Sequence, residues 1–195
     1  MEYMGNKEYW DKKFAARGNQ LMNPESVLVE NIQYLKRGTL LDIACGDGRN
    51  TMYLLEQGFQ VTGVDFSREA LDRLSYFARM KNYKVDTMQI DLSKEDAFST
   101  LGTYDSIIIN HYRLGAEKLM QLEHHLTEGG VLFISGFGHK HHVDSKIRSE
   151  DLIMPDDFAV IEESFELLKY SEIDNEIGFL VTYLYKKNRN KIYAK

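Results

Sequence analysis

One cysteine, two prolines and one tryptophan occur in 195 residues. A single Cys45 forms no internal disulfide, so the chain is not a disulfide scaffold and reads as a protein of a reducing compartment. No apolar run approaches the ~20 residues that span a bilayer, which argues against a membrane partner. The opening Met1-Glu2-Tyr3-Met4-Gly5-Asn6-Lys7 lacks the apolar core of a signal peptide, and the expected location is cytoplasmic. Basic charge is also short: the net charge is −6. The one basic cluster, Lys186-Lys187-Asn188-Arg189-Asn190-Lys191, reads as a solvated end, so the acidic balance argues against a nucleic-acid partner. Low-complexity stretches, repeats and linkers are absent, so residues 1–195 read as one domain.

What is present is ordinary globular material, 43% hydrophobic and 28% charged, enough to close a substantial core. Residues 1–35 read as helical. Tyr9, Trp10, Phe14 and Ala15 share one face, and a second helix starts near Pro24-Glu25 with Val27, Leu28, Ile32 and Leu35 on its stripe. After Gly38, strand and helix patterns alternate. Strands are expected at 39–44, 59–65, 84–90, 104–110 and 131–135. Helices are expected at 49–57, after the Ser67 cap, and along Leu114, Leu119, Leu122 and Leu126. Gly129-Gly130 reads as a turn. Alternation of this kind implies parallel βαβ units. Two runs, 165–173 and 178–187, are joined by a connector too short for a crossover helix, so they form an antiparallel hairpin.

The chemistry-bearing segment is Leu40-Leu41-Asp42-Ile43-Ala44-Cys45-Gly46-Asp47-Gly48-Arg49-Asn50. An apolar strand ends in a glycine loop, and a helix follows whose free N–H groups face the loop. A second strand then ends in a carboxylate, Val61-Thr62-Gly63-Val64-Asp65. Together they read as half of a nucleotide-binding α/β domain. The dinucleotide fingerprint Gly-x-Gly-x-x-Gly is incomplete, because Thr51 stands at the third glycine.

The pattern Asp42-x-Ala44-Cys45-Gly46-x-Gly48 resembles motif I of the class I S-adenosylmethionine (SAM) methyltransferases. Ala44 stands where that family commonly has a glycine. Tyr9-Trp10-Asp11-Lys12-Lys13-Phe14 and the triplet Gly48-Arg49-Asn50 resemble the small tellurite-resistance and thiopurine-type members. The resemblance implies a three-layer αβα Rossmann-like sandwich. Its seven-stranded, mostly parallel sheet has order 3-2-1-4-5-7-6 and ends in the C-terminal antiparallel hairpin. Residues 1–36 would be a helical lid segment and 37–195 the core.

The resemblance also implies SAM as cofactor and assigns roles. Asp65 accepts hydrogen bonds from both ribose hydroxyls, and Phe66 packs on the adenine face. Asp91, with Leu92 beside it, approaches the adenine amino group. Asp42 orders the loop and the methionine amino end, with Ala44, Gly46 and Gly48 forming the cradle. Arg49 and Asn50 hold the loop or reach the cofactor's carboxylate. Asn110 meets the methionine portion or the acceptor, and Trp10, with Tyr9, is a lid residue. Capping, core packing and solvated helix starts are the plainer readings of these same residues. After Asn110 the chain runs His111-Tyr112-Arg113, without the Pro-Pro-Tyr of the enzymes that methylate bases and amides.

The catalytic residue is left open among His111, Tyr112, His139 and His141. The run Gly136-Phe137-Gly138-His139-Lys140-His141-His142-Val143-Asp144 offers a general base or an anion contact. It has no recognised metal-ligand spacing, and no metal is expected. Cys45 reads as a buried packing residue rather than a nucleophile.

The expected reaction is in-line methyl transfer from the sulfonium to a small molecule. Thiolates and chalcogen oxyanions need little help from a base, whereas phenols and amines need more. The expected partner is therefore a small-molecule acceptor, and the chain is expected as a monomer or homodimer. Two alternatives stand beside this reading: a non-catalytic SAM-binding module or subunit, and an NAD-dependent oxidoreductase. The incomplete fingerprint and the reversed hairpin count against the second.

Overall fold

The computed structural model describes residues 7–188. Met1–Asn6 and the Arg189-Asn190-Lys191 part of the basic cluster lie outside them. Seven strands form one sheet: β1 Thr39–Ile43, β2 Gln60–Asp65, β3 Asp86–Gln89, β4 Tyr104–Asn110, β5 Leu126–Phe137, β6 Phe165–Asn175 and β7 Gly178–Lys187. Their order is β3-β2-β1-β4-β5-β7-β6. The first five neighbours pair in parallel, and β7 runs antiparallel to both β5 and β6. This is the expected seven-stranded sheet with its terminal hairpin. The order reverses between β1 and β4, which opens a crevice beyond their carboxyl ends.

Among the described residues, five α-helices accompany the sheet: α1 Lys7–Ala16, α2 Ser26–Asn31, α3 Arg49–Glu56, α4 Arg68–Met80 and α5 Ala116–Gln121. Strands in the middle of the sheet bury both faces, which explains why Ser106-Ile107-Ile108-Ile109 is not alternating. Ile108, Leu40, Val61 and Phe133 pack beneath α2, α3 and α4. Ile107, Ile109, Leu41 and Leu132 pack on the opposite face with α5 and the 92–101 segment. The result is three layers. No described helix is long and apolar enough to cross a membrane.

Four local expectations change. The N-terminal region is not continuously helical: residues 17–25 separate α1 from α2, and α2 starts at Ser26. Arg73 donates to the carbonyls of Arg17 and Gly18, each at 3.0 Å. A tertiary partner thus holds carbonyls that a longer helix would have used. The helix marked by Leu114 to Leu126 stops at Gln121, tightens into a 3-10 turn over Leu122–His125, and Leu126 already belongs to β5. Gly129-Gly130 lies within β5 where its register against β4 shifts, not in a free turn. The hairpin connector shortens to Glu176-Ile177, since Asn175 Oδ1 accepts the Ile177 N–H at 2.9 Å and closes the turn.

Candidate active site

The loop after β1 is tightly coiled. Ala44, Gly46 and Gly48 all have left-handed backbone, with φ of 56°, 55° and 88°. At Gly46 a Cβ would sit 3.1 Å from the Phe14 ring, and at Gly48 it would meet Leu74 at 2.3 Å. The glycines therefore admit both the conformation and the close approach of α1 and α4. Ala44 adopts the same conformation with a side chain, at a cost of about 1–2 kcal/mol.

Three carboxylates hold the loop. Asp65 accepts the Gly46 N–H at 2.8 Å on one oxygen and the Ser67 N–H at 2.9 Å on the other. Asp42 accepts from the Thr51 hydroxyl at 2.6 Å. Asp47 is gripped by Arg17 at 2.7 Å and Arg73 at 3.3 Å. Burial pushes the Asp42 carboxyl up to about 7; the nearby Asp65 adds to the rise and the Thr51 bond opposes it. Burial also raises Asp65, against the N–H groups of Ser67 and Gly46. Burial, followed by Asp42 and Asp65, lifts the Cys45 thiol well above its ordinary value. Cys45 is therefore an inert packing group.

Beyond the strand ends lies a cavity of about 280 Å³. From β1 and the loop it is lined by Asp42, Ala44, Gly46, Arg49 and Asn50. Asp65 and Phe66 line it from the end of β2, and Asn110, His111 and Tyr112 from the end of β4. Trp10 closes it from α1, stacked on Phe14 with ring centroids 5.6 Å apart. Burial first, then the charges of Asp91 and Asp65, raises the Tyr112 hydroxyl. Both polar atoms of the Asn110 amide are buried without a hydrogen bond among the described residues. A buried amide left without a partner costs about 1–3 kcal/mol, which singles this side chain out on the cavity wall.

A second cavity of about 270 Å³ adjoins the first. The two share Trp10, Phe66, His111, Tyr112 and Phe137. Gly136, Ile153, Lys146 and Glu150 extend the second one.

Several residues picked from the sequence are not brought to these walls. Gly48 is the N-cap of α3 and faces Leu74. Leu92 packs in the core, and the Asp91 carboxylate caps its own loop, accepting the Ser93 hydroxyl at 2.7 Å. His139 and His141 line neither cavity. His141 packs against Phe137 with the rings tilted by 43° and centroids 4.3 Å apart, and accepts the Phe179 N–H at 3.2 Å. His139 stands edge-on to Phe179. The Gly138 N–H donates to the Phe179 carbonyl at 3.0 Å, and His139 and His141 lie against that residue of β7.

Conversely, Glu25, Arg17, Phe14, Met22, Asp47 and Phe137 take part without having been singled out as site residues. Glu25 caps α2 and is the most consequential. Its N–H donates to Asn50 Oδ1 at 2.9 Å, and its carboxylate, only 11% exposed, binds both Arg49 and His111 Nε2, the latter at 2.7 Å. His111 has left-handed backbone, φ 53°, and its N–H donates to the Ser135 carbonyl at 2.7 Å. Burial, then the Arg49 charge, pushes its imidazole down to about 4. Such a shift favours the neutral ring, in which Nε2 carries the hydrogen toward Glu25 because a carboxylate only accepts.

An acid-rimmed loop, a carboxylate at the end of β2 and an orphan amide at the end of β4 suit a cofactor with adjacent hydroxyls and positive charge. Residues 40–130 match the family model of the methyltransferase domain. Over that span the chain is similar to the class I SAM-dependent methyltransferases. It resembles the probable SAM-dependent methyltransferase TehB of Haemophilus influenzae, 21% identical over 182 residues, 90% of this chain and 60% of that protein. The crystal structure of TehB from Haemophilus influenzae superposes with a TM-score of 0.66 at 20% identity, covering 93% of this chain and 67% of that one. The ubiquinone biosynthesis O-methyltransferase of Rickettsia akari is 26% identical over 115 residues, 57% of this chain and 45% of that protein. The chain thus spans about half the length of the curated relatives it matches.

Proposed function

We propose that this chain catalyses SAM-dependent methylation of a small molecule by in-line transfer. The observation that carries this reading is the pairing of two cavities across one aromatic wall, with the unpartnered Asn110 amide on the cofactor side. When bound, SAM supplies the electrophilic methyl group; the protein aligns it and excludes water. Asp65, already holding the loop through two N–H groups, keeps free lone pairs for the ribose hydroxyls. Phe66 packs on the adenine. To reach the adenine amino group, Asp91 must leave its cap on Ser93, while Leu92 stays in the core. Asp42 and Asn110 meet the amino-acid end, while Arg49 and Asn50 fix the loop to α2 through Glu25. Trp10 is the lid residue, held by Phe14 and by Lys13, whose Nζ lies 4.4 Å from its ring centroid.

The second cavity favours an enzyme over a non-catalytic SAM-binding module. Its size suits a small acceptor, in keeping with TehB and a ubiquinone O-methyltransferase among the similar proteins. Calorimetric titration with SAM, its product S-adenosylhomocysteine (SAH), and NAD tests the reading, with Asp65→Ala as control. SAM and SAH should bind the parent, and the variant should lose at least tenfold in affinity. Binding of NAD in their place would move the chain to the oxidoreductases.

A further inference from the structure

We propose that Glu25 and His111 form a proton-accepting pair at the acceptor cavity, and that the acceptor is a hydroxyl on a flat aromatic molecule, a phenol or catechol. The proposal rests on the methyl-transfer reading above and assigns its acceptor chemistry.

His111 lines both cavities, so it lies where the methyl group must cross. Its Nε2 is committed to Glu25. Nδ1 makes no hydrogen bond among the described residues, and in the neutral ring it carries the lone pair. The ring is also locked. Its backbone is strained, its N–H is tied to Ser135, and the Phe137 ring lies 5.4 Å away. Strain of this kind persists only where the surroundings over-determine it. A base oriented by a carboxylate on its far nitrogen is the general arrangement for proton removal.

The charged groups around the imidazole are Glu25 and Arg49, and across the second cavity Arg113, Lys146, Glu150 and Asp151. The arginines are committed: Arg49 to Glu25, and Arg113 to Asp157 with Nε at 2.8 Å. Forked recognition of an oxyanion is therefore closed to both arginines, and Lys146 offers only a single point charge. A thiol needs little from a base, because its thiolate is accessible near neutral pH. A phenol needs one. Trp10, Phe66, Tyr112 and Phe137 supply flat walls for its ring. In the step itself the acceptor oxygen bonds the methyl carbon as the C–S bond breaks onto sulfur. The hydroxyl proton passes to His111 Nδ1 and leaves to solvent with the product. Glu25 acts through His111 and is a positioning residue.

The test uses the full chain with catechol, 4-nitrocatechol and thiophenol as acceptor probes. The hydroxyl of 4-nitrocatechol is ionised near neutrality and needs no base. His111→Gln should slow catechol methylation by about 100-fold, slow 4-nitrocatechol far less, and leave SAH affinity within about twofold. Glu25→Gln should move the acid limb of the catechol pH profile. Nitrogen-15 NMR of the SAH complex should show His111 as the Nε2–H tautomer, which Glu25→Gln should disturb. Equal losses on both catechols, methylation of thiophenol without catechol, no turnover of catechol, or an Nδ1–H tautomer would each overturn the proposal. Failure of SAH to bind the parent protein would instead overturn the cofactor reading beneath it.

Discussion

Asp42 should make SAM affinity rise with pH. The carboxyl is 1% exposed and is held up to about 7 by burial with Asp65 close by. It is therefore about half protonated at neutral pH. Because its folded value lies above its ordinary 3.8, the folded protein binds the extra proton between about pH 4 and 7. Apo stability accordingly falls as pH rises through that window, by up to about 4 kcal/mol for three units. A cofactor bearing a sulfonium and an ammonium favours the ionised carboxylate. If the complex holds Asp42 ionised throughout, affinity follows the ionised fraction of the apo protein. That fraction is roughly one eleventh at pH 6 and ten elevenths at pH 8, so affinity should strengthen about tenfold, or about 1.4 kcal/mol. Calorimetry in two buffers of different ionisation enthalpy should also detect release of about half a proton at pH 7. Asp42→Asn should bind more weakly and with a flatter pH dependence. A parent affinity that does not change with pH, or a variant with an undiminished slope, would refute the reasoning.

Two further outcomes concern stability. Gly48→Ala combines a left-handed backbone with a Cβ 2.3 Å from Leu74, so it should cost about 3 kcal/mol and lower Tm by roughly 10 °C; a calorimetric shift under 2 °C would contradict this. His111, depressed to about 4 from 6.5, takes up its proton in the unfolded chain first as pH falls. The parent should therefore lose stability between pH 6.5 and 4, by about 1–2 kcal/mol after allowance for its partly exposed ring. Urea unfolding of His111→Gln at pH 7 and 4.5 should show that much less acid loss.

The sheet was legible because its signal is local and periodic. Buried parallel strands are continuous apolar runs, and Asp65 and Asn110 end two of them, so topology alone sends their side chains to the crevice. The loop was legible because only small residues fit a left-handed coil against α1 and α4. Leu92 and the histidine run were misleading for a different reason. An apolar residue after a strand serves the core or a ligand equally well, and only packing decides. Nor does the sequence around Gly138 announce its bond to the Phe179 carbonyl, beside which His139 and His141 lie against β7.

Glu25 was the harder case. It sits in a helix-start sequence where an acid has an ordinary explanation, 24 residues from Arg49 and 86 from His111. Charge pairs at such separations leave no periodic trace. A mark was nonetheless present at the other end: His111 directly follows the strand-end Asn110, the point toward which the parallel topology sends ligands. A titratable ring there needs a partner to set its tautomer. The sequence between Arg17 and Ser26 could supply only one carboxylate, Glu25. The N-terminal segment therefore does more than roof the cavity with Trp10. The turn that breaks its helix also delivers Glu25 to the loop and to His111, so disrupting residues 17–25 should disturb cofactor binding and proton transfer together.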